Sequence, residues 1–241
     1  HETGGNPFFL LEILSAIWAL PDRGNLETSL PVPASVNRLI LQRLEPLSKD
    51  AKDILILAAI QGNSFELALL EKSAALSSSE ITPIISELIG AQLIRPTSQK
   101  YGLEYAFVHE IIREVLISSL TPIQSRLLNK SVAQALEAQS GEHLDPQAAK
   151  LAEHYEKAGE LSHAFDLWVR AGKYAYHLFS QGDATISYQR AKSLIDSTIL
   201  KNEQIYNLYS AWDMLLFTND DPDTLEGLMQ SLLSIGEERG S

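Results

Sequence analysis

Apolar residues recur at helical spacing along most of this chain. Ala51, Ile54, Leu55 and Ala58 fall on one side of a helix, and so do Ile81, Ile84, Ile85 and Leu88. Ile111, Ile112, Val115 and Leu116 make a third such stripe, and Leu127, Leu128, Val132 and Leu136 a fourth. Each stripe needs a partner to cover it. Between the second and third stripes the period breaks. Leu93 to Arg95 and Tyr105 to Val108 read as short strands, and the loop between them, containing Pro96, Ser98 and Gly102, predicts a two-stranded hairpin. Gly24 to Pro33, with Pro31 and Pro33 around Val32, cannot continue a helix and reads as an extended linker.

Several helix starts share one device, a capping residue followed by proline, whose missing N–H costs nothing in the first turn. The pairs are Asn6 with Pro7, Thr121 with Pro122, Asp145 with Pro146, and Asp221 with Pro222. Gln124 completes a capping box with Thr121. After Asp145 the pattern is almost purely helical, with turns expected at Gly159–Glu160 and Gly182–Asp183. Ala152, Tyr155, Ala164 and Ala171 fit the small and large alternation of tetratricopeptide hairpins. The step from Gly159 to Gly182 is shorter than the repeat of about 34 residues, so the solenoid is expected to be irregular. Leu225, Leu228, Met229 and Leu232 form a last apolar stripe, with more repeats expected after it.

The expected fold class is therefore mainly α. Residues 1–34 form a helical segment and linker, residues 35–120 a winged helix with a small β-hairpin, and residues 121–241 a tetratricopeptide-like α-solenoid.

Composition narrows the function. The 241 residues are 45% hydrophobic, which suits a folded protein, and contain no cysteine, which removes disulfides, thiolate catalysis and cysteine-ligated zinc. No stretch approaches the roughly 18 apolar residues of a membrane span. The expectation is a cytoplasmic protein with no membrane contact. A net charge of −12 repels nucleic acid backbones and anionic lipid. Chain position 1 is a histidine with no leader after it, so preceding sequence is expected.

The candidate chemistry is sparse. Gly5, Asn6 and Pro7 read as a turn glycine, a cap and a first-turn proline, as at many helix starts. His109 stands where the second strand should feed a helix, and its local reading is a capping or core histidine. A ring N–H there can also donate to a phosphate oxygen, beside backbone N–H groups that favour anions. His109 and Glu110 begin like HExxH, but the fifth position is Arg113, so no zinc site is expected; Arg113 is expected to pair with Glu110 or another acid. His143, His154, His163 and His177 share no ligand spacing. The third helix of the expected winged helix, Ser77 to Gly90, carries Glu80 and Glu87 and no lysine or arginine, which argues against direct nucleic acid binding. No GxxxxGKS or GxxxxGKT motif occurs, so the chain alone should not hydrolyse ATP, and no catalytic residue is assigned.

Thr3 to Glu12, with Gly5, Asn6 and Pro7 at its centre, resembles the segment closing the ATPase module of the STAND class of signal-transducing AAA-like ATPases. The likeness runs through Pro33 to Val36 and Leu44 to Ser48, along the winged helix and into the solenoid near Ala171. Phe107, Val108, His109 and Glu110 resemble the methionine, histidine, aspartate signature of that class, with valine for methionine and glutamate for aspartate. The resemblance implies that Gly5 and Pro7 form the GxP motif, whose proline packs on adenine, and that His109 touches the β-phosphate of ADP. It implies ADP or ATP with magnesium in the full-length protein, none held tightly by this segment alone. It implies an N-terminal ATPase core of the same chain as partner, a protein or small-molecule inducer on the solenoid, and a slow ATPase switch in signal transduction or transcription regulation. The alternative is a helical protein–protein interaction scaffold with no nucleotide role.

Overall fold

The computed structural model describes residues 34–97, 104–141 and 143–219. Their packing divides into two compact units, with the boundary between Ala135 and Leu136. Among the described residues the protein is mainly helical, with one small antiparallel sheet.

The first unit opens with α1 (Ala34–Leu44) and α2 (Lys49–Gln61). Ser48 starts α2 by accepting the Ala51 N–H at 3.2 Å, and it is itself fixed by Glu87, whose carboxylate takes the Ser48 N–H and hydroxyl, each at 2.7 Å. Those two bonds hold the Glu87 carboxyl below its ordinary pKa. Glu87 thus serves a neighbouring helix start, and does not stand open on a reading surface.

Next come β1 (Ser64–Glu66), α3 (Leu67–Ala74) and α4 (Ser78–Gly90), then β2 (Ile94–Pro96), β3 (Glu104–Phe107) and α5 (Glu110–Ser118). Ser77 and Glu80 cap α4 reciprocally. The sheet has three strands in the order β1-β3-β2, all antiparallel, where the pattern predicts two. Phe65 is the reason for the third: its ring is buried, stacks on Tyr105 at 6.0 Å and tilts against Phe107 at 5.9 Å. Three of the four stripes converge largely as expected, with Ile84 only partly buried; of the fourth, Val132 is buried in this core and Leu128 partly buried against it, whereas Leu127 is 64% exposed. Ala51, Ile54, Leu55, Ala58, Ile81, Ile85, Leu88, Ile111, Ile112, Val115 and Leu116 all enter one core, with Leu93, Phe107 and Val132.

Helix α6 (Pro122–Ser140) carries the capping box read from the sequence: the Thr121 hydroxyl accepts the Gln124 N–H at 3.3 Å, and Gln124 accepts the Thr121 N–H at 3.0 Å. The sequence reading places a division at residue 120, yet the start of α6 packs with the first unit. Val132 joins its core, and the Ser131 hydroxyl donates to the Ser73 carbonyl at 2.9 Å.

The second unit holds the end of α6 and then α7 (Ala148–Ala158), α8 (Leu161–His177), α9 (Gln181–Ser193) and α10 (Asn202–Asn219). Ala152, Tyr155, Ala164 and Ala171 are all buried. Gly159 ends α7 at φ +84°, in the left-handed region, so the turn expected there forms. Gly182–Asp183 is not a turn. Both lie in the first turn of α9, where the Asp183 carboxylate accepts the Ser180 hydroxyl at 2.6 Å, and the chain reverses at Phe179, φ +59°. Nor does Asp145 cap a helix through its side chain: Asp145–Gln147 is one 3₁₀ turn, and the Asp145 carboxylate binds Arg170. The expected linker at 24–33, most of the hairpin loop at 98–103, and the last stripe with Asp221–Pro222 lie outside the described residues.

No described helix is long and apolar enough to cross a membrane.

Candidate functional site

Of the three residues assigned from the sequence, Gly5 and Pro7 lie outside the described residues, and His109 lies within them. The polypeptide around His109 is held from two sides. Phe107 N–H donates to the Asn63 carbonyl and Val108 N–H to the Leu93 carbonyl, both at 3.0 Å, so the strand is pinned up to the residue before the histidine. His109 itself occupies the cap position of α5 in extended conformation, φ −136° and ψ 133°. Its carbonyl accepts the Ile112 N–H at 3.1 Å, while its imidazole makes no capping bond to the helix. The side chain is therefore placed at the helix N-terminus without being used to start the helix.

The imidazole is half-buried, and its pKa is lowered, first by that burial and then by the positive charge of Arg43 on α1. A ring held neutral at pH 7 keeps one N–H donor and one acceptor. Guanidinium, donor ring and the first-turn N–H groups of α5 together favour an anion at this corner. Glu110 in the first turn supplies one negative charge that already complements the helix dipole. No magnesium ligand set is evident, since no group of three or more His, Asp or Glu among the described residues converges on a metal position.

Arg113 does not pair with an acid as the sequence reading expects. Its Nε donates to the Ala59 carbonyl at 2.9 Å, in the last turn of α2, where a cation complements the C-terminal carbonyls. Two residues further on, Gln61 is buried, with neither its amide nitrogen nor its amide oxygen hydrogen-bonded. Sequence reasoning passed over both Arg43 and Gln61. Gln61 was legible, because it extends the buried spacing Ile54, Leu57, Ala58 by one turn. Arg43 carries no such signal, as its relation to His109 is made only by tertiary packing.

The second unit contains its own polar cluster. Tyr155 hydroxyl donates to Glu137 at 2.5 Å, His163 Nε2 lies 3.4 Å from the other Glu137 oxygen, and the His163 ring meets Tyr155 edge-on at 4.3 Å. Burial first, and then the Glu137 bond, push the Tyr155 phenol well above its ordinary pKa. The tyrosine thus stays a donor across the working pH range, which suits a structural tie.

No protein-family model, curated protein or solved structure matches the chain.

Proposed function

We propose that this chain is the regulatory arm of an ADP/ATP switch of the STAND class, in a cytoplasmic signalling or transcription-regulating protein. Residues 1–34 act as the closing helical segment of an ATPase module, residues 35–120 as a winged helix, and residues 121–241 as a tetratricopeptide-like sensor. The observation that carries the reading is His109: a half-buried imidazole at a strand-to-helix junction that makes no capping bond to α5 and lies within the field of Arg43. Those residues suit a phosphate oxygen. The ring N–H donates, Arg43 supplies charge, and the α5 N-terminus supplies further donors.

In the resting form, Pro7 and His109 close over ADP bound to a phosphate loop outside these 241 residues. An inducer that prefers the open arrangement releases the winged helix from the core and permits exchange for ATP; only such a preference shifts the equilibrium. This segment by itself performs no hydrolysis.

The test uses the full-length protein. His109→Ala should increase the rate of ADP release and raise resting activity; unchanged ADP retention and unchanged resting activity would remove His109 from the switch.

The scaffold reading has one observation in its favour. Phe179 and Ile199 in the second unit are 93% and 95% exposed, so each offers an apolar side chain that a partner could cover. A full-length protein that copurifies with no nucleotide and binds none would leave that reading standing.

A further inference from the structure

The first unit contains a cavity of about 620 Å³ on a side of the fold that the nucleotide reading does not use. Its walls come from four helices: Ile54 and Leu57 on α2, Ala74 at the end of α3, Ile84 on α4 and Leu128 on α6. The volume lies within the range of about 300–1,000 Å³ typical of small-molecule pockets. Its apolar lining includes Ile84 and Leu128, both half-buried, so they retain surface for a ligand to cover.

The polar groups of the lining are all of one kind. Asp50 and Asp53 stand one turn apart on α2, and Glu80 stands on α4. The hydroxyl of Ser131 spends its proton on the Ser73 carbonyl, leaving its lone pairs as acceptors. Among the described residues no lysine, arginine or histidine lines the cavity, and none lies within ion-pair distance of Asp50 or Asp53. A bowl with apolar walls and acceptor-only polar groups repels anions and gives a neutral ligand nothing to neutralise.

We propose that this cavity binds a compact organic cation, a protonated amine carried on an aromatic or aliphatic body, with Asp50, Asp53 and Glu80 facing the charge. The apolar body displaces water from Ile54, Leu57, Ile84 and Leu128, and the ammonium stays at the carboxylate rim. The inference is independent of the nucleotide switch, and its failure leaves that reading untouched.

Three probes of one shape and different charge test it on the full chain: 1-naphthylmethylammonium, 1-naphthylmethanol and 1-naphthylacetate, titrated by calorimetry at low salt. The ammonium should bind about tenfold more tightly than the alcohol, with the acetate weakest. Amide resonances of Ala74, Leu76 and Leu128 should move on binding. Asp50→Asn with Asp53→Asn, both at exposed positions, should bring the ammonium to within about twofold of the alcohol. Equal affinity for the three probes, an unchanged preference in the double variant, or no binding of the ammonium at millimolar concentration would each overturn the proposal. A basic helical peptide that moves the same resonances where the ammonium does not would overturn it too, giving the surface to a protein partner.

Discussion

Gly172 on α8 should be intolerant of a single methyl group. A Cβ built there would lie 2.2, 2.5 and 2.8 Å from Cε1, Cδ1 and Cζ of Tyr188. Carbon atoms in contact prefer about 3.5–4.0 Å, so the ring would have to retreat by roughly 1.3 Å. It has little freedom to do so. Tyr188 is 1% exposed, its ring sits 5.9 Å from that of Trp212, and burial lifts its phenol pKa to about 12. Overpacking of this kind costs about 1–3 kcal/mol, and three short contacts on a buried ring put Gly172→Ala near the upper end. Against that, alanine in a helix interior recovers about 1 kcal/mol over glycine. The net expectation is a loss of about 2 kcal/mol. Urea unfolding of the full chain, followed by tryptophan fluorescence, measures it, because Trp168 and Trp212 both lie in the second unit. In a Tyr188→Leu background the clash disappears and the same glycine change should become neutral or stabilising by up to about 1 kcal/mol. A Gly172→Ala protein as stable as the parent would refute the close approach of the two helices.

Two further outcomes follow from the polar groups. Tyr155→Phe removes a 2.5 Å bond to Glu137, whose side chain remains 36% exposed and can turn to water and to His163, so the loss should be about 1–2 kcal/mol in urea unfolding; no measurable loss would mean that the bond contributes nothing net. The lowered pKa of His109 makes stability fall on the acid side: between the unfolded value of about 6.5 and the lower folded value, the unfolded chain binds the proton more readily, so stability is fully present above that window and is lost as pH drops through it. His109→Gln should flatten the part of the stability profile that falls as pH drops below about 6.5, and identical slopes in the two proteins would contradict the burial of the ring.

What was legible in the sequence was whatever a local period encodes. The stripes beginning at Ala51, Ile81 and Ile111 gave helices and their buried faces, and the Thr121–Gln124 spacing gave a cap, because both depend on neighbours within two turns. The third strand escaped for the opposite reason. Ser64–Glu66 is too short to show alternation, and it is a strand only because Phe65 finds Tyr105 and Phe107 about forty residues later. Gly182 misled because glycine and aspartate mark turns only on average; here Asp183 answers the Ser180 hydroxyl at a helix start, and Phe179 takes the left-handed position that glycine would normally fill. Arg113 was assigned an acid by charge alone, whereas the end of α2 offered a carbonyl. Of the candidate site, the position of His109 at a strand-to-helix junction was readable, and its electrostatic neighbour was not.

The third strand also bears on how the His109 experiment is to be read. Between them β1 and β2 flank β3, and the bonds from Phe107 to Asn63 and from Val108 to Leu93 fix the junction through main-chain atoms alone. The helix that follows is started by the His109 carbonyl, which any residue supplies, and not by its imidazole. A substitution at this position therefore leaves these main-chain bonds in place. Loss of nucleotide retention in His109→Ala, with the unfolding midpoint kept, would then report on the ring's contact with an anion; a parallel loss of stability would instead assign the histidine to packing.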